Sequence, residues 1–383
     1  MKQTMIAKRL RDFASRYQAW LFEAALPLWW ENGADRALGG YHELLGLDGV
    51  PLAGVPRRAR VQARQSYCYA LASELGWKGP WRQAAPYGVD YLIRRYKRED
   101  GQFCTLVAAR GEILDSTTML YDQAFALLAM AAVVKVLPER SDLRDMAHAL
   151  FARIRAVRQH SKGGFSETGE RRFISNPHMH LLEALLAWSE LEPGTIWDSC
   201  ADDIVGLCRT KFIDTKGGFL REHFDENWNP VPGALGHVVE PGHQFEWAWL
   251  LARWGKMRGA PDAVAAARRL FENGLRGVDP KRDAAVHALS DDFSVTQPSA
   301  RLWAQTERIK AALILAEPGD DRLLTEVLKG AVCLWRYLNT PLPGLWRDKF
   351  ESDGTFIEEP APASSFYHII CCIACLNEAV KAP

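Results

Sequence analysis

The stretch Glu240-Pro241-Gly242-His243-Gln244-Phe245-Glu246, running into Trp247-Ala248-Trp249-Leu250-Leu251, decides how this chain is read. It joins an extended approach to an apolar helix and sets one imidazole and two carboxylates at the join. Gly242 is the expected N-cap, and Pro241 before it keeps the chain extended until the helix starts. His243 and Glu246 are three apart and share one helix face, where a carboxylate suits the positive end of the helix. Alone, His-x-x-Glu is either half of a metal site or an acid–base pair.

Working outward, a looser form of the same join recurs. A small residue and an aromatic or apolar one open an extended stretch, a polar loop follows, and a helical pattern with a polar head begins. The openings are Gly40-Tyr41, Gly101-Gln102-Phe103, Gly164-Phe165, Gly218-Phe219, Ala285-Val286 and Gly344-Leu345-Trp346. From Tyr41 to Trp346 they are separated by 62, 62, 54, 67 and 60 residues, and the fifth copy lacks glycine. Each interval has room for two helices. Residues 121–137 read as an apolar helix and 143–160 as a charged partner; 180–191, capped by Asn176-Pro177, is followed by 197–212. Open solenoids have periods of roughly 20–50 residues, shorter than these. Six hairpins closing on themselves give an inner and an outer ring and need no capping repeat. The expectation is an all-α chain, a single (α/α)6 barrel domain over residues 1–383.

In such a toroid the inner helices point the same way, so their heads gather at one mouth. The heads carry Arg57, Arg60, Gln62, Arg64 and Gln65; Tyr121, Asp122 and Gln123; Asn176, His178 and His180; Glu240, His243 and Glu246; Arg301, Trp303, Gln305 and Glu307; and Ser364, Ser365, Tyr367 and His368. Any one of these is explained by capping or solvation; polar and aromatic heads in all six units together indicate a bowl. Trp247, Trp303 and Trp346, of 14 tryptophans, lie near the heads.

Composition narrows the function. Lys+Arg and Asp+Glu balance at 47 each, which gives no general argument for nucleic acid or an acidic membrane. The N-terminal run from Met1 has no apolar signal core, and residues 125–134, the longest apolar run, fall short of the ~18 residues that span a bilayer. Cys371-Cys372-x-x-Cys375 lacks a second ligand pair and reads as reduced thiols packed in a helix. A cytoplasmic protein is expected. Phosphate-binding loops and a Gly-x-Ser-x-Gly elbow are missing. A polar, aromatic-lined bowl with titratable groups suits a carbohydrate, whose hydroxyls need donors and acceptors and whose apolar faces stack on rings.

The histidines do not have zincin spacing, and His178 and His180 project roughly 200° apart on a helix, so they cannot chelate one ion together. His178 reads as a surface or capping residue. His180, His243 and His368 could meet at a metal only with Arg64 nearby to repel it. Two histidines across a bowl, titrating near neutral pH, serve more simply as base and acid. Abstracting the C2 proton of an open-chain sugar leaves an enediol whose oxyanion needs a donor such as Arg64.

The motifs Arg60-Val-Gln-Ala-Arg64-Gln65, Tyr121-Asp-Gln-Ala-Phe125, Asn176-Pro-His-Met-His180, Glu240-Pro-Gly-His243-Gln-Phe-Glu246, Arg301-Leu-Trp303-Ala-Gln-Thr-Glu307 and Ser365-Phe-Tyr-His368 resemble the N-acylglucosamine 2-epimerase superfamily. The resemblance implies metal-free chemistry without a cofactor by two histidines, here His243 and His368. It sets Arg64 near the substrate oxygens, and Tyr121, Asn176, His180, Glu246 and Trp303 against the sugar. Glu240 and Glu307 are expected to face the substrate as well, and Glu246 to orient His243. His368 is expected to move the proton between C2 and C1 and His243 to assist ring opening and, in an epimerase, to reprotonate C2, or the two roles are exchanged. Ile369-Ile370-Cys371-Cys372 follows His368 where the amino-sugar and disaccharide epimerases tend to carry an arginine, so the wording looks more like the mannose isomerase branch. The expectation is interconversion of mannose and fructose, with lyxose and xylulose as further substrates, and a monosaccharide as the only ligand; a homodimer is allowed for. The alternatives are a sugar 2-epimerase, a mannose-6-phosphate isomerase with Arg57 and Arg58 meeting the phosphate, and a glycoside hydrolase pairing Glu240 or Glu246 with Asp122 or Glu307.

Overall fold

The computed structural model describes residues 2–381; Met1, where the signal-core reading begins, and residues 382–383 lie outside the described residues. Among them the α-helices are α1 (Lys2–Ala19), α2 (Leu26–Glu31), α3 (Ala59–Glu74), α4 (Trp81–Arg95), α5 (Leu120–Val136), α6 (Ser141–Arg158), α7 (Ser175–Leu191), α8 (Ile196–Leu207), α9 (Pro241–Arg258), α10 (Pro261–Leu275), α11 (Leu302–Leu315), α12 (Asp321–Leu338) and α13 (Phe366–Lys381). The odd-numbered helices from α3 to α13 form an inner ring, each packed on the next and α13 on α3. The outer ring comprises α4, α6, α8, α10, α12 and α1. This is an (α/α)6 barrel. Its sixth hairpin pairs α13 with α1, so the two ends of the chain complete it.

Residue patterning separates the rings. In α5 residues 122–134 are buried on every side, as an inner helix touched from all directions requires. In α12 the buried set Leu323, Val327, Leu328, Ala331, Leu334 and Leu338 follows three- and four-residue spacing, one stripe turned inward. Helix α13 and the turn before it, residues 363–381, are long and apolar enough to cross a membrane by length and composition, contrary to the sequence reading. That stretch is the sixth inner helix, and most of it is buried in the ring.

A side-chain clamp fixes each opening to its inner helix. Gln62 both accepts from the Tyr41 N–H (2.7 Å) and donates to the Tyr41 carbonyl (2.8 Å). Gln123 does the same to Phe103, Gln244 to Leu220 and Gln305 to Ala285. In the third unit His178 replaces glutamine, its Nε2 accepting from the Phe165 N–H at 2.9 Å. His178 is therefore a buried structural group, where the sequence suggested a surface one. In the sixth unit Phe366 packs on Trp346 instead. The clamped residues run 41, 103, 165, 220, 285 and 346, a more even spacing than the openings read from sequence, which fell one residue early at Phe219 and one residue late at Val286.

Before each clamp the backbone turns through the left-handed region. Gly40 (φ 72°) does so where a Cβ would lie 2.7 Å from Gln62 Oε1 and 2.5 Å from the Tyr91 ring. The fifth unit uses Asp283 (φ 54°), a residue that tolerates this conformation, which is why its glycine is missing. Two capping expectations are corrected. Glu240 is the N-cap residue of α9 and Pro241 its first helical residue; Gly242 is inside, where a Cβ would meet the Trp303 ring at 2.3 Å. Helix α7 starts at Ser175, placing Asn176 and Pro177 within its first turn, where proline's missing N–H costs no helical hydrogen bond.

Candidate active site

Two residues beyond each clamp, about 200° round the helix, a side chain points into the barrel axis rather than toward the outer ring. These are Arg64, Phe125, His180, Glu246, Glu307 and His368. Above them opens a cavity of about 300 Å³. The structure brings nine of the ten residues expected from sequence to its wall: Arg64, Tyr121, Asn176, His180, Glu240, His243, Glu246, Trp303 and His368. Glu307 lies behind the wall, fully buried, with its oxygens taken by His368 and Lys310. Of the tryptophans near the heads, Trp303 reaches the bowl; Trp247 packs on Phe212 and Trp346 stacks on Trp29.

The two imidazoles flank Trp303, with ring centroids 5.2 Å (His243) and 5.7 Å (His368) from it. Their surroundings are opposite in charge. His368 Nδ1 is 2.8 Å from Glu307 Oε1. Burial, reinforced by Arg64 and Lys310, outweighs Glu307 and pushes His368 down to about 4. It is neutral near pH 7, and with Nδ1 donating to an ionised Glu307 its Nε2 is left free to accept a proton.

His243 Nδ1 lies 3.1 Å from Glu222 Oε1 and 3.6 Å from Glu240 Oε2, ion-pair contacts in which the ring N–H is not aligned for a hydrogen bond. Burial alone would lower its pKa, but Glu222 and then Glu240 raise it to about 10. Its partner is thus Glu222, which a Ser175 hydroxyl anchors at 2.7 Å, and not Glu246 as expected. Glu240 itself is pushed up to about 7 by burial and by Glu222, against His243 and Arg301.

Below lies a layer of buried ionisable groups. Lys310 Nζ donates to Glu307 Oε2 at 2.8 Å, with neither residue exposed. The Tyr367 hydroxyl bonds Glu183. Burial pushes Glu183 up, but His180, Lys310 and Tyr367 hold it down to about 2. Glu246, desolvated and facing Glu307 and Glu183, is driven well above the carboxylate range, which favours its protonated form. His180, its Nδ1 3.7 Å from Glu246 and 3.9 Å from Glu183, is pushed to about 3 by burial and stays neutral. Arg64 donates to the Tyr121 hydroxyl (2.7 Å) and the Ser364 carbonyl (3.0 Å) over the Phe125 ring.

Among the described residues three groups have donors that could hold a metal: His180, Glu183 and Glu246; Glu222, Glu240 and His243; and Glu246, Glu307 and His368. His180, His243 and His368 do not come together in any of them. An ion would have to displace the proton of His243 or Glu246, or compete with the Lys310 ammonium, in each.

Sequence reasoning missed Glu222, Glu183, Lys310 and His287. Lys310 sits three residues after Glu307 on the same face, a spacing open to inspection. Glu222 and His287 belong to a second periodic set, two residues beyond each clamped position: Glu43, Thr105, Glu167, Glu222, His287 and Asp348. Taking Phe219 for Leu220 hid that register.

One expectation concerns stability. His243's pKa is higher folded (about 10) than unfolded (about 6.5). Its contribution is therefore complete below about pH 6.5 and is lost as pH rises toward 10. Replacing Glu222 by glutamine removes the largest raising charge, so the fall in Tm between pH 6.5 and 10 should become shallower. Calorimetric melts across that range check it; parallel curves for both proteins would contradict it.

A profile of the family described as N-acylglucosamine 2-epimerase (GlcNAc 2-epimerase) matches residues 39–372. The chain is 47% identical over 378 residues to the mannose-6-phosphate isomerase of Rhizobium meliloti (strain 1021), covering 96% of this chain and 97% of that one. It is 28% identical over 332 residues to the D-mannose isomerase of Thermobifida fusca, covering 80% of each. The solved cellobiose 2-epimerase of Bacillus thermoamylovorans B4167 shares the fold with a TM-score of 0.87, at 18% identity, over 96% of this chain and 100% of that chain.

Proposed function

We propose that this chain, which belongs to the N-acylglucosamine 2-epimerase family and is a sugar isomerase, interconverts mannose and fructose through a cis-enediol, without a metal. The observation that carries this reading is the pair of imidazoles on either side of Trp303, His368 anchored by Glu307 and His243 set between Glu222 and Glu240, which makes the first a neutral ring and the second a cationic one. A neutral histidine accepts a proton and a cationic one donates. His243 gives its proton to the ring oxygen as the O5–C1 bond breaks and the O1 hydroxyl loses its proton to water, opening the pyranose to the C1 aldehyde. His368 takes the proton from C2 as the C1 carbonyl becomes an enediol, and Arg64 faces the oxyanion that develops. With its proton open to exchange with solvent, His368 returns a proton to C1 while the O2 proton passes to O1, leaving a ketone at C2 and a hydroxymethyl group at C1. His180, Asn176 and Tyr121 would contact the remaining hydroxyls, and lyxose, which has the same C2–C4 arrangement, would follow the same course.

The cationic state of His243 also supports 2-epimerisation as the second reading, since a donor across from the base could return the proton to the opposite face of C2. A phosphorylated substrate is less well supported. Arg57 is buried against Asp35 and the Gly39 carbonyl, Arg58 pairs with Glu43, Arg60 with Asp122 and Arg301 with Asp348, so each arginine of the mouth other than Arg64 already has a carboxylate. The hydrolase pairing loses support because Asp122 is held by Arg60 and Thr105, and Glu307 by His368 and Lys310.

The test is incubation of EDTA-treated protein with mannose in D2O, followed by NMR. Fructose should form with deuterium entering C1, at a rate unchanged by EDTA. Glucose alone would select the epimerase, and loss of turnover with EDTA would remove the metal-free mechanism.

A further inference from the structure

The polar set two residues beyond each clamp is almost entirely engaged. Glu43 takes the Arg58 backbone N–H and guanidinium, and Thr105 bonds Asp122. Glu167 accepts the N–H groups of Leu120 and Tyr121. Glu222 holds Ser175 and faces His243; Asp348 holds Arg301 and Ser365. His287 is the exception. Its side chain makes no hydrogen bond among the described residues, its Nδ1 is buried, and the ring lines the bowl. A buried polar atom without a partner is costly unless something else supplies one.

The place of His287 says which part of a substrate that would be. Its backbone N–H bonds the Ser299 carbonyl, two residues before Arg301, so it stands at the rim. Arg301 precedes α11, and Glu307, which holds His368, lies six residues further along; at 1.5 Å per residue that is roughly 9 Å deeper. With the reacting carbons down at His368, the other end of a six-carbon chain comes up to His287 and Arg301.

The local chemistry favours a hydroxyl there over a phosphate. Burial, with Arg301 and His243 adding to it, lowers the pKa of His287, so the ring is neutral with one donor and one acceptor. Arg301 already spends two bonds, of 3.1 and 2.9 Å, on Asp348. Glu240 and Glu222 face the same corner through His243, and a dianion would meet them.

We propose that His287, beside Arg301, is the specificity-determining contact for the terminal C6 hydroxyl of an unphosphorylated aldohexose. The proposal rests on the isomerase reading above. Lyxose is the matching probe, because it is mannose without C6 and its hydroxyl.

The experiment measures kcat/KM of the wild-type protein and of His287→Ala on mannose, lyxose and mannose 6-phosphate. The expected result is a loss of about tenfold on mannose, the worth of one good hydrogen bond, with lyxose changed less than about twofold. The retained lyxose rate shows that the variant folds. His287→Asn, which keeps a polar atom near the position of Nδ1, should recover part of the mannose rate. Equal losses on mannose and lyxose, in both variants, would overturn the assignment. A wild-type preference for mannose 6-phosphate over mannose would overturn the unphosphorylated end. A wild-type protein inactive on all three would remove the isomerase reading, and this proposal with it.

Discussion

Replacing His368 by alanine is expected to lower kcat on mannose by roughly 10²–10⁴-fold, the range that a positioned acid–base group supplies. The far-UV CD spectrum should not change and KM should change little. The reasons lie in the local arrangement. His368 is the bowl's neutral imidazole whose Nδ1 is fixed by a buried carboxylate; His180 Nδ1 only lies near Glu246 and Glu183, at 3.7 and 3.9 Å, His287 makes no side-chain hydrogen bond among the described residues, and His243 is already protonated. Deuterium uptake from D2O into sugar should fall in parallel, since it reports the same proton transfer. A variant that keeps most of its rate, or loses exchange and isomerisation to different extents, would take the base role away from His368.

Replacing Glu307 by alanine should cost stability as well as activity. Lys310 is fully buried, its ammonium bound to Glu307 and seated over the Trp249 ring. Removing one partner of a buried ion pair leaves the other charge uncompensated, which costs roughly 3–5 kcal/mol. Denaturant titration of Glu307→Ala against wild type measures it. The double variant Glu307→Leu with Lys310→Met should regain most of that loss, because apolar groups of similar volume can replace a buried pair. It should not regain activity, since His368 would still lack its anchor. A single-variant loss below about 1 kcal/mol would mean that water or a neighbouring carboxylate relieves Lys310.

The sixfold architecture was legible because each unit repeats both its opening and a polar helix head, and a period survives variation in any one copy. The absent glycine of the fifth unit was a substitution, Asp283 for the left-handed residue, and not a break in the pattern. The residues at the head of each inner helix were legible for the same reason. What could not be read was who neutralises whom. Glu240 and Glu246 lie three residues either side of His243 in sequence, yet Glu222, more than twenty positions earlier, is the carboxylate that comes closest to its Nδ1. Likewise Glu307 looked like a substrate contact and serves as the anchor of a histidine from the following unit. Charge pairing across units depends on how strands and helices of neighbouring hairpins interleave, and spacing along one helix carries no information about it.

The pairing of α13 with α1 has a temporal meaning. During synthesis five hairpins can form as the chain emerges, each from adjacent sequence, while α1 waits for a partner that is made after all of them. That late partner brings His368 and the residues that bond Arg64 and Gln65 of α3, through the Ser364 and Ala363 carbonyls. A nascent chain thus holds an open arc with one imidazole of the pair missing, and competence to move a proton should arrive in the same event as ring closure.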